Sequence, residues 1–127
     1  MAETHKYRIV YIEDDPDMIE LVSLMLDADR FDLVGATDGE TGLALMHDAK
    51  PDVLLLDLML PDLGGWAIYQ DMKDDVDLKD VPVVVLTAQN APMDRILGEH
   101  IAKVQVYITK PFGPVELRGA VNKVLGL

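Results

Sequence analysis

Residues 53–56 read Val-Leu-Leu-Leu and residues 82–86 read Pro-Val-Val-Val-Leu, with no polar side chain at either parity. A strand wet on one face alternates apolar and polar residues. A run that is apolar throughout is a strand covered on both faces, the mark of a parallel sheet between helices. The rest of the chain fits that demand. Residues 7–12, 31–36 and 104–108 are further short, β-branched or apolar runs. Helical patterns fall between them. Asp15 and Pro16 open the first, as N-cap and first helical residue, with Met18, Leu21, Val22 and Met25 on its inward face. Asp38 caps a second, carrying Leu43 and Met46 and running to about His47. A turn over residues 61–64 leads to a third, with Ile68, Tyr69 and Met72 inward, and residues 71–80 read as its solvated end and a loop. Residues 90–92 open a fourth with Met93, Ile96, Leu97 and Ile101 at helical spacing. Pro114 opens the last, with Leu117, Val121, Val124 and Leu125 inward. Five strands alternating with five helices predict one α/β domain over residues 1–127, a mostly parallel sheet with helices on both faces.

Composition narrows the chemistry. Without cysteine there are no disulfides, thiolate zinc sites or cysteine nucleophiles, and His5, His47 and His100 stand too far apart for short ligand spacing. No apolar stretch approaches the roughly 20 residues of a membrane span, and residues 1–6 lack the look of a signal peptide. A soluble, cytoplasmic protein is expected. Eleven Lys and Arg against 23 Asp and Glu give a net charge of −12. Such a surface repels phosphate backbones, so neither direct nucleic-acid binding nor attachment to anionic membranes is expected.

In open parallel sheets ligands bind beyond the carboxyl ends of the strands. Those ends carry Glu13-Asp14-Asp15 after the first strand, Asp57 after the third, Thr87 after the fourth and Thr109-Lys110-Pro111 after the fifth. Each alone has an ordinary explanation: Asp15 is a helix cap, Thr87 suits a turn and Lys110 a solvated surface. Their coincidence at four strand ends favours a shared site. Crowded carboxylates call for a cation, and oxygen ligands alone suit Mg²⁺. Lysine and threonine beside such an ion fit a phosphoryl group, with a carboxylate as nucleophile. No Gly-Lys-Ser or Gly-Lys-Thr is present, which excludes a P-loop.

Residues 9–16, 54–61, 84–88 and 107–112 together resemble the motifs of receiver domains, the phosphoacceptor domains of two-component response regulators. The likeness runs over essentially the whole chain. It implies a flavodoxin-like, doubly wound sheet of order 2-1-3-4-5. It also implies that Asp57 accepts a phosphoryl group from a histidine kinase or a histidine phosphotransfer protein. Asp14, Asp57 and the main-chain carbonyl of Met59 would hold Mg²⁺, for which Mn²⁺ can substitute, with Glu13 acting through water. Lys110 and Thr87 would contact the phosphoryl group, the bond from Lys110 to Pro111 would be cis, and Thr87 with Tyr107 would form the switch. Met59 and Gln89 would tune dephosphorylation. The chain would then be a phosphorylation switch, catalysing only its own phosphorylation and slow autodephosphorylation, and not an enzyme acting on other molecules.

The resemblance admits phosphorylation-dependent dimerisation. However, Gln105 and Val106 before Tyr107, and Ala120 in the last helix, depart from receivers of winged-helix transcription factors, and Gly113 replaces a capping side chain. Because the sequence stops near the end of the fifth predicted helix, it is expected to carry no output domain, as either a single-domain regulator or an excised receiver. Two other readings stay open. A haloacid-dehalogenase-type phosphatase would need a second aspartate where Met59 stands, and an inert interaction module would not need four intact motifs. Trp66 is expected to be core packing.

Overall fold

The computed structural model describes residues 6–58, 60, 64–88 and 106–127, and for residues 87, 88 and 107 it describes the backbone. Five strands, β1 (Tyr7–Ile12), β2 (Phe31–Ala36), β3 (Val53–Asp57), β4 (Val83–Ala88) and β5 (Val106–Lys110), form one sheet of order β2-β1-β3-β4-β5. Every neighbouring pair is parallel. The described helices are α1 (Pro16–Met25), α2 (Gly39–Ala49), α3 (Gly65–Lys73) and α4 (Pro114–Leu125). The expected helix over residues 90–101 and the turn residues 61–63 lie outside the described residues.

Strand parity sorts the core into two layers. On β1, Val10 and Ile12 face one apolar cluster with Leu54 and Leu56 of β3, beneath α2 and α3. Ile9 and Tyr11 face the other with Val53 and Leu55, beneath α1 and α4. All five residues of β3 are buried, as its unbroken apolar run requires.

The helix starts follow local chemistry. The Asp15 side chain accepts from the Asp17 N–H at 2.9 Å, and Asp38 accepts from the Thr41 N–H at 2.7 Å. Gly113 caps α4 without a side chain; instead its N–H donates to Glu116 Oε1 at 3.4 Å.

Several bounds and faces differ from expectation. Helix α2 continues to Ala49, β5 runs on to Lys110, and β4 runs on through Thr87 to Ala88; residues 104 and 105 of the expected fifth strand lie outside the described residues. Leu21 is 47% exposed and not inward. Ile19 takes the inner flank of α1, occupying space beside Gly35 where a Cβ would collide with it. A helical stripe centred on Met18 and Val22 can tilt to either side, and the missing side chain on β2 decides which. Trp66 is half-buried against the α2–α3 core cluster and stacks on Tyr69 with ring centroids 5.1 Å apart.

Candidate functional site

In this strand order the chain leaves β1 for β2 on one side and returns to β3 on the other. A crevice therefore opens between the carboxyl ends of β1 and β3. Glu13 follows β1 directly, its N–H bonded to the Ala36 carbonyl at 2.9 Å, and Asp57 is the last residue of β3. Glu13 is 1% exposed and Asp57 2%, the two buried charged residues among those described. Asp14 lies beside them but is exposed. One carboxylate oxygen from each of the three lies within 4.8 Å of the other two.

Lys110 arrives from the opposite side as the last residue of β5. Its Nζ donates to Glu13 Oε1 at 2.7 Å and to Asp57 Oδ2 at 3.2 Å. Burial pulls this ammonium's pKa down, but the hydrogen bond to Glu13 and the charges of Asp57 and Glu13 outweigh it, leaving Lys110 above the ordinary lysine value. Asp14 is held above the ordinary carboxyl range, first by hydrogen bonding to Glu13 and then by desolvation at the rim of the site and Glu13's charge. The peptide bond between Lys110 and Pro111 is cis.

Two residues of the site went unnoticed in the sequence. Tyr11, fully buried on β1, donates its phenol to Glu13 Oε1 at 3.0 Å. Burial and the neighbouring Glu13 charge push its pKa far up, so it stays a donor. The signal was present: on a strand, Tyr11 and Glu13 share a face. Gly65 opens α3 against the end of β3, where a Cβ would strike the Asp57 carbonyl oxygen and Leu58 Cα. That contact brings the start of α3 close under the site.

Glu13, Asp14, Asp57 and Lys110 are thus brought together. The backbone of Thr87 lies on β4 opposite Thr109, and Tyr107 on β5 opposite Val85. Met59 and Gln89 lie outside the described residues. Three carboxylates with oxygen donors alone, two of them buried, fit a small hard cation such as Mg²⁺.

Comparisons with known proteins agree with this geometry. Residues 9–122 match the family model of the response regulator receiver domain. The DNA-binding dual master transcriptional regulator RpaA of Synechocystis is 38% identical over 93% of this chain and 48% of its own length. The DNA-binding response regulator MtrA of Mycolicibacterium smegmatis is 35% identical over 91% of this chain and 49% of its own. The crystal structure of a protein described as a response regulator from Chloroflexus aurantiacus superposes with a TM-score of 0.87 at 28% identity, over 97% of this chain and all of that one. The chain spans about half the length of the curated relatives it matches.

These relatives overturn one expectation, that direct nucleic-acid binding is absent: two of them are DNA-binding regulators. The inference failed because the net charge of −12 belongs to 127 residues, and acidity in one part of a regulator does not bear on what another part binds. No described helix is long and apolar enough to cross a membrane. With motif order, sheet order and site geometry in agreement, the chain belongs to the response regulator receiver domain family.

Proposed function

We propose that this receiver is a phosphorylation switch over residues 1–127 whose acceptor is Asp57, charged by a histidine kinase or a histidine phosphotransfer protein. One observation carries the proposal: two buried carboxylates meet one ammonium at the switch point of the sheet, with a third carboxylate beside them at the rim. An Asp57 carboxylate oxygen forms the bond to phosphorus as the bond from phosphorus to the donor imidazole nitrogen breaks, and the imidazole keeps the electron pair. Asp14, Asp57 and the Met59 carbonyl would hold Mg²⁺ or Mn²⁺, with Glu13 behind a water. When bound, the ion supplies positive charge opposite the negative charge spread over the phosphoryl oxygens in transfer. Lys110 already lies 3.2 Å from the acceptor, and we assign it to a phosphoryl oxygen.

Thr87 and Tyr107, on adjacent strands, are the proposed relay. Met59 and Gln89 are the proposed determinants of phosphoryl lifetime. Turnover would be confined to the chain's own acceptor, in a cytoplasmic protein. The DNA-binding relatives favour transcription as the process that the switch feeds.

Labelling by a small phosphodonor in Mg²⁺ tests the acceptor. Wild type should take up label stably, and Asp57→Asn, nearly isosteric but a poor nucleophile, should not. Comparable labelling of the variant would remove Asp57 from the role, and turnover of varied phosphoesters would favour a phosphatase.

A further inference from the structure

Glu13 Oε1 is shared. It accepts from Lys110 Nζ at 2.7 Å and from the Tyr11 phenol at 3.0 Å, while Glu13 Oε2 accepts from the Asp15 N–H at 3.4 Å. Lys110 therefore lies nearer to Glu13 than to Asp57, 3.2 Å away. The ammonium has three N–H donors, and a phosphoryl oxygen on Asp57 would draw it toward the acceptor and weaken its short bond to Glu13. That would leave a carboxylate oxygen in a residue only 1% exposed short of a donor. Stripping the donor from a buried charged acceptor is among the costlier losses in a protein interior. The phenol meets that need. It comes from the interior side of β1, two residues before Glu13 on the same strand face, and is fixed by the apolar cluster around Val22, Leu55 and Leu117.

We infer that Tyr11 is a positioning residue for phosphoryl transfer: it holds Glu13 in place and satisfied while Lys110 moves to the phosphoryl group. The Tyr11 phenol bonds to Glu13 and acts on the transfer through that carboxylate. The role rests on the phosphoacceptor function proposed above. It predicts that loss of the phenol strengthens the hold of Glu13 on Lys110, and so slows transfer without altering the fold.

The test is a double-mutant cycle on the rate of labelling by a small phosphodonor at saturating Mg²⁺, using wild type, Tyr11→Phe, Glu13→Gln and the double variant. Tyr11→Phe should label about tenfold more slowly than wild type, the scale of one hydrogen bond to a charged group. In the Glu13→Gln background, where residue 13 no longer grips Lys110 with a charge, the same substitution should change the rate less than twofold. A packing role would slow both backgrounds alike, so equal effects overturn the inference, as does a wild-type rate for Tyr11→Phe. Tyr11→Met, which fills the same position without a donor, gives an independent reading if Tyr11→Phe folds poorly, and the same outcomes decide. Failure of the wild type itself to label would overturn the phosphoacceptor function and this role with it. Normal wild-type labelling with an unaffected Tyr11→Phe overturns the role of Tyr11 alone.

Discussion

Asp57→Asn should make the metal-free protein more stable, although it deletes a buried ion pair. At an effective dielectric constant of about 20, Lys110 at 3.2 Å attracts Asp57 by about 5 kcal/mol. Glu13, with an oxygen no more than 4.8 Å away, repels it by about 3.5 kcal/mol or more on the same scale. Asp14 is exposed, so its repulsion is nearer the aqueous value, about 1 kcal/mol. The charges nearly cancel. What remains is the desolvation of a carboxylate left 2% exposed, several kcal/mol before its hydrogen bonds offset part. A neutral amide avoids that term and leaves Lys110 on Glu13 at 2.7 Å. The expected gain is about 1–2 kcal/mol, or roughly 4–8 °C in Tm for a domain of this size.

Magnesium should reverse the order. An ion that binds only the folded arrangement stabilises by about 2.7 kcal/mol at a hundredfold excess over Kd, and the variant has lost a ligand. Thermal melts in chelator, in Mg²⁺ and in NaCl of matched ionic strength make the comparison. Asp57→Asn should melt above wild type in chelator and below it in Mg²⁺. Solvated caps would behave otherwise, with no gain from removing the charge and no effect of Mg²⁺ beyond salt screening. A variant that melts below wild type in chelator would refute the electrostatic reasoning. A Mg²⁺ effect that NaCl reproduces would refute the metal site.

Lys110→Met removes the ammonium that both buried carboxylates touch, and should cost about 3–5 kcal/mol in chelator by urea denaturation, with a smaller loss in Mg²⁺. Gly65→Ala should destabilise by about 1–3 kcal/mol, because its Cβ meets backbone atoms at Asp57 and Leu58 that cannot swing aside; denaturation midpoint and labelling rate should fall together. Asp38→Ala deletes the cap on α2, with its bonds to the Thr41 N–H and hydroxyl, and should lower stability by about 1 kcal/mol while leaving labelling intact.

What could be read without a structure was set by short-range physics. Asp15 and Asp38 cap helices because their partners lie two and three residues on, and β3 is buried on both faces because nothing in it tolerates water. The strand ends could be named as a site because parallel topology alone carries them to one edge. Partners across the fold were another matter. Lys110 reaches Glu13 across 97 positions and Asp57 across 53, and strand-end position could not tell which carboxylate would hold it more closely. Leu21 and Ile19 are equally apolar flanks of one helical stripe, and only Gly35, on a strand that follows α1, selects between them. Tyr11 lies between these cases. A phenol in a strand with both faces covered needs an acceptor. With a period of two, one polar side chain within reach on its own face is Glu13. The bond from the Tyr11 hydroxyl to Glu13 was therefore as local as any helix cap, and the identity of the second donor on Glu13 Oε1 was the part that required the fold.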